Sequence, residues 1–239
     1  MKRLIINADD LGYCEAVNYG IIEAYRQGVV SSTTIMANMP GFEHAVEILQ
    51  HYSEIGLGIH LTCTCDKPLG SNYHTLTDEQ GYFYKEDLER FDQNEVFEEW
   101  CLQMDRCISA GLVIDHIDSH HHVHNNPIFA SAFSRFLKKY PLPIRNGLQY
   151  ELAVEKDAVL FGKFYKYNCT EPFLEAFFAS IEEGKVYDVM CHPAYMDTFL
   201  SNSTSYATGR LTEYDVLTSK KIKQAIHDHQ IQLITYREL

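Results

Sequence analysis

No apolar run in this 239-residue chain approaches the ~20 residues that a membrane-spanning helix needs. The N-terminus, Met1-Lys2-Arg3 followed by only about five apolar or small residues before two aspartates, is too short for a signal peptide. Basic residues are scarce as well: 20 Lys and Arg stand against 33 Asp and Glu, a net charge of -13. A nucleic acid therefore finds no electrostatic footprint, and no nucleic-acid or membrane partner is expected. Disulfide spacing is lacking too. Seven cysteines, an odd number without regular spacing, fit reduced thiols in a cytoplasmic protein. Cys63-Thr64-Cys65, a close pair, lacks the two-residue spacer of zinc and redox motifs. Internal repeats, low-complexity tracts and linker-like stretches are absent, so one domain over residues 1–239 is expected.

What is present is alternation. Short runs rich in Val, Ile and Leu are separated by longer stretches of helical periodicity, the pattern of βα units around a parallel sheet. The strand candidates are Leu4–Asn7, Thr33–Ala37, Leu57–Leu61, Val113–Asp118, Leu142–Arg145, Phe164–Tyr167, Asp188–Cys191 and Gln232–Tyr236. A helix over Glu15–Gln27 carries Val17, Ile21, Ile22 and Tyr25 on one stripe and stops at Gly28. A second, capped by Asn94 and ended by Gly111, would bury Phe97, Trp100, Cys101, Met104 and Ile108. Eight strands in this length predict an α/β fold, a single (β/α)-barrel of the TIM-barrel type, regular or irregular, with a doubly wound sheet as the rival. Thr62–Gln93 and Tyr195–Arg210 read as long loops, the first with aromatics suited to stacking on a sugar.

The densest chemical signal is His116-Ile117-Asp118-Ser119-His120-His121-His122-Val123-His124, five of the twelve histidines within one segment. Extended backbone would put His116, Asp118, His120, His122 and His124 on one face. Imidazole is the commonest protein metal ligand, and a carboxylate beside it holds the second ring nitrogen in one tautomer. Asp9-Asp10, His60 and His192 also lie at the C-terminal ends of proposed strands, where barrel enzymes carry their chemistry. An Asp and two His from separate strands leave coordination positions open, which marks a catalytic rather than a structural metal site. Asp10, His60 and His120 are the ligand candidates, Asp9 the general base and His192 the general acid, with Asp118 and His122 in support. Each piece alone has a plainer reading: Asp9-Asp10 as a turn and helix cap, His60 and His192 as hydrogen-bonded core histidines. His121 is expected to be a bystander or to support the ligands from behind, and His44, His51, His74, His227 and His229 to be surface residues.

Taken together, Leu4-Ile5-Ile6-Asn7-Ala8-Asp9-Asp10-Leu11-Gly12, Asn18-Tyr19-Gly20-Ile21-Ile22-Glu23-Ala24, Ser32-Thr33-Thr34, Gly58-Ile59-His60-Leu61 and the histidine segment resemble the YdjC-like carbohydrate deacetylases. The order and spacing agree through about residue 130, and Cys191-His192-Pro193-Ala194-Tyr195 resembles the family's late His-Pro segment. The resemblance implies a divalent-metal hydrolase that removes N-acetyl groups from N-acetylglucosamine units of small chitooligosaccharides, on a distorted barrel and as a homodimer. It also implies metal positions at Asp10, His60 and His120, a base at Asp9, and at Arg145 a basic residue that orients base or substrate. The family is associated with magnesium, whereas two imidazoles and a carboxylate suit zinc, manganese or cobalt better. Alternatives are another metal enzyme on a barrel, an isomerase or a phosphoesterase, and a metal- or sugar-binding protein without turnover.

Overall fold

The computed structural model describes residues 2–239. In chain order its elements are β1 (Lys2–Leu11), α1 (Glu15–Gln27), β2 (Ser32–Ile35), α2 (Phe42–Leu49), β3 (Gly56–Leu61), α3 (Gln93–Ser109), β4 (His116–Ser119), α4 (Ala130–Lys139), β5 (Ile144–Asn146), β6 (Asp157–Phe161), α5 (Glu171–Ser180), β7 (Val186–Cys191), α6 (Thr198–Ser203), α7 (Ala207–Thr218), α8 (Lys220–Asp228) and β8 (Ile231–Leu233). Every strand pairing is parallel. The order β2-β3-β4-β5-β6-β7-β1 closes on itself through a β1–β2 pairing, and β8 joins only the first residues of β1. Eight strands are present, the number predicted, but seven of them form the closed barrel. The distortion lies in β1, whose ten residues pair β7 along one edge and, on the other, β8 at Lys2–Leu4 and β2 from Asn7 onward.

Most elements follow the hydrophobic pattern. Along α1, Val17, Ile21 and Ile22 are buried, and the helix ends before Gly28 as expected. On α3 the apolar stripe holds at Trp100, Cys101 and Met104, but Ile108 is 53% exposed. The residues buried beside that stripe include Glu99 and Gln103, because the α3 face carrying Glu95, Glu99 and Gln103 serves to anchor the long loop after β3. Glu95 accepts from the amides of His74 and Thr75, Glu99 from those of Leu69 and Gly70, and Gln103 pairs with the backbone of Thr62. That loop contains a small antiparallel bridge between Thr77 and Phe83. The α3 N-cap is Asp92 rather than Asn94, its carboxylate accepting from the amides of Asn94 and Glu95.

Three other expectations are corrected. The sixth strand is Asp157–Phe161, not Phe164–Tyr167; the latter segment mimics a strand in its aromatic content, yet Lys166 is left-handed (φ 54°) and opens a short 3₁₀ turn. The fourth strand starts at His116 because Val113 lies out in solvent, 77% exposed. The loop expected over Tyr195–Arg210 holds α6 and the first turn of α7. That last difference decides the site, since α7 reaches back over the barrel mouth.

Candidate active site

At the C-terminal end of β1 the backbone register slips between Ala8 and Leu11, and Asp10 takes a left-handed φ of 74°. Consecutive strand residues ordinarily face opposite sides; the bulge lets both Asp9 and Asp10 line the same cavity of about 520 Å³. A non-glycine residue held at positive φ needs a structure that over-determines it. Here Tyr13 N donates to Asp10 O at 3.0 Å, and the buried side chain of Asn18 receives the amide of Gly12 at 2.6 Å and donates to Gly41 O at 2.9 Å. Gly12 sits at φ 89°, a conformation that favours glycine.

The Asp10 carboxylate is the meeting point of two imidazoles. Its Oδ1 lies 3.3 Å from His60 Nε2 and 2.9 Å from His120 Nδ1. All three donor atoms lie within 4.8 Å of one another. His60 is oriented from behind: Asp118 Oδ1 is 2.6 Å from its Nδ1, and Thr34 Oγ1 donates to Asp118 Oδ2 at 3.1 Å. Burial alone would lower the His60 pKa, but Asp118 and Asp10 outweigh it and raise it to about 10. For Asp10 burial pushes upward, and Arg210 and His120 override it, holding the carboxyl well below its ordinary value. One carboxylate and two imidazoles converging from three strand ends, with a cavity in front of them, fit a divalent ion with open positions. A second group, Asp9, His60 and Asp118, is also close enough to hold an ion, but the Arg145 guanidinium already bridges its two carboxylates.

Arg145 is fully buried at the end of β5. Its Nη1 and Nη2 meet the two oxygens of Asp9, each at 2.7 Å, while Nη1 lies 2.8 Å from Asp118 and Nε donates to Asp188 at 2.6 Å. Tyr236 OH donates to Asp188 from below. Burial raises the Asp9 pKa, but Arg145 reverses the effect and leaves it lowered, so the carboxylate stays ionised; Asp188 remains raised because burial dominates there. His192, after β7, lines the opposite part of the cavity. Its backbone amide donates to the buried Glu213 of α7, and its Nδ1 is 3.5 Å from the same carboxylate. Burial would lower the His192 pKa; Glu213 raises it overall.

The histidine segment is not extended throughout. The strand ends at Ser119, and His121 and His122 both adopt φ 53°, so the expected single face breaks after His120. His116 lies a layer lower, stacked on Tyr236 at 3.8 Å and paired with Asp115. His122 lines the cavity and burial lowers its pKa to about 4, while His124 turns away to Ser119 and the carbonyl of Arg145. His121, expected as a bystander or a support to the ligands, lines the cavity and lies 3.0 Å from Thr64 Oγ1. Residues given no site role from the sequence are Asp188, Arg210, Glu213 and Tyr236, and Thr34 entered only as part of a quoted motif. Asp188 had a signal, a charge inside the apolar run Val186–Cys191; Arg210 ends a segment read as a loop, and neither it nor Glu213 stands out from ordinary surface charges in the sequence.

Comparison with known proteins shows what the whole chain is similar to. The model of the family described as YdjC-like protein matches residues 3–228. A carbohydrate deacetylase of Geobacillus stearothermophilus is 40% identical over 242 residues, covering 99% of this chain and 98% of the relative. One from Brevibacillus brevis is 38% identical over 246 residues, covering 99% of each. Among solved structures, a candidate cellobiose-phosphate cleavage protein of Enterococcus faecalis superposes with a TM-score of 0.92 at 34% identity, over 99% of this chain and 98% of that one. The chain therefore belongs to the YdjC-like family.

Proposed function

We propose that this chain is a metal-dependent carbohydrate deacetylase that removes the N-acetyl group from N-acetylglucosamine units of small chitooligosaccharides. The observation that carries the reading is the convergence of Asp10 Oδ1, His60 Nε2 and His120 Nδ1 at one wall of a cavity also lined by Asp9 and His192. A divalent ion held there would polarise the acetyl carbonyl and acidify water. Asp9, kept ionised by Arg145, accepts the proton of the attacking water. His192, whose proton Glu213 helps retain, supplies one to the departing sugar amine. Tyr165 and Tyr206, with ring centroids 4.2 Å apart beside His192, offer aromatic faces to a sugar ring. The donor set suits zinc, manganese or cobalt physically and magnesium by family resemblance. The names of the relatives support the carbohydrate deacetylase class; the homodimer and cytoplasmic location follow from the family resemblance and the cysteine usage.

Acetate release from di-N-acetylchitobiose tests this, with chelated and metal-restored protein alongside the untreated protein. Release that stops on chelation and returns with a divalent ion supports the reading; bound metal without release from this substrate counts against it. A second reading, a phosphorylated disaccharide as substrate, draws on the name of the Enterococcus relative and on Arg210 and Lys85 lining the cavity. Running a phosphorylated disaccharide in parallel separates the two.

A further inference from the structure

We propose that Arg210 is a positioning residue that restricts Asp10 to ligation through one oxygen and so preserves open coordination positions on the ion. The inference rests on the metal-site reading above. The two oxygens of Asp10 are divided between tasks: Oδ1 faces His60 and His120, while Oδ2 accepts from Arg210 Nη2 at 2.7 Å. A carboxylate with both oxygens free can chelate a divalent ion and take up a position that water or substrate needs. With Oδ2 engaged, Asp10 presents one donor, and the guanidinium withdraws charge from the carboxylate, which leaves the ion more electrophilic.

The second observation is what Arg210 leaves unmet. It is 4% exposed, yet its Nε and Nη1 find no hydrogen-bond partner among the described residues. Unsatisfied buried donors cost folding free energy. Its ion pair is with Asp10, with the centroid of the Tyr13 ring 5.8 Å from its Cζ and Glu213 on the same helix face; at a site of convergent ligands, that ion pair is explained by what it does to the carboxylate.

The third observation is its carrier. Arg210 and Glu213 are three residues apart on α7 and so share a face; Glu213 holds His192, and the Arg210 carbonyl receives the amide of Ala194 at 3.4 Å. One helix thereby sets the metal-side carboxylate and the acid-side histidine together.

The experiment is titration of cobalt(II) chloride into metal-free full-length protein, wild type against Arg210→Gln, Arg210→Met and Arg210→Lys. Visible absorption reports coordination number, calorimetry reports stoichiometry and circular dichroism checks the fold. Gln and Met variants should bind one cobalt per chain but show the fainter absorption of a six-coordinate ion. Their kcat should fall about 10- to 100-fold with KM little changed. Lys, which keeps a cationic donor, should restore the more intense wild-type band. Met carries the test if Gln does not fold, since it removes the unsatisfied donors as well. A folded Gln or Met variant with the wild-type spectrum overturns the role of Arg210 alone. Wild-type protein that takes up no cobalt overturns the metal-site reading and this inference with it.

Discussion

Arg145 and Asp9 face each other in two 2.7 Å contacts although 136 residues separate them in the chain. The same guanidinium touches Asp118 and Asp188, so one cation serves three buried carboxylates. Loss of Arg145 would therefore leave more uncompensated charge than the loss of any one acid. Arg145→Met is expected to destabilise the fold by about 3–5 kcal/mol, the scale for breaking a buried ion pair on one side. Chemical denaturation checks it, and a loss below about 1 kcal/mol would show that the carboxylates are protonated or solvated instead.

Asp9 lies beside the three proposed ligands and is not one of them. Asp9→Asn should keep its metal content and lose orders of magnitude in kcat, as expected of a group acting in the transition state. Near-normal turnover would remove Asp9 from the base role.

His120→Ala removes one of three donors and should abolish metal and activity together, read by elemental analysis of the dialysed protein. Full metal content in a folded variant would refute the ligand set.

The pH dependence has a definite sign. The His192 pKa is lowered by burial but raised overall by Glu213, so the acid keeps its proton to higher pH than an ordinary histidine. Activity is present below that pKa and is lost as pH rises through it. Glu213→Gln removes the charge that raises it, so the alkaline limb of kcat/KM should move to lower pH. An unmoved limb would assign the proton to another group.

Gly20 of α1 is a further point of contact with the acid side. A Cβ there would lie 2.3 Å from Ala194 Cα, against backbone two residues past His192. Gly20→Ala should displace this segment and lower kcat more than metal affinity, and steady-state kinetics with metal titration would separate the two.

Local properties explain what was legible. The burial of Val17, Ile21 and Ile22, the strands at β1, β3 and β7, and the clustering of Asp, His and His near strand ends all follow from periodicity and residue chemistry within a few positions. Where local composition is ambiguous the reading failed. Phe164–Tyr167 has strand-forming residues but turns, and His121–His122 leave extended backbone just where a period of two was expected to continue.

The sequence by itself determined the βα alternation and the presence of Asp and His residues near strand ends, because these depend on residue type and short-range spacing. The tertiary structure decided that seven strands close while β8 stands aside, that a bulge turns two consecutive aspartates into one cavity, and that Arg145, Arg210 and Glu213 face Asp9, Asp10 and His192. Those pairings join residues 21 to 200 positions apart. No local pattern encodes such a contact; it exists only once the barrel has closed and α7 has folded back across its mouth.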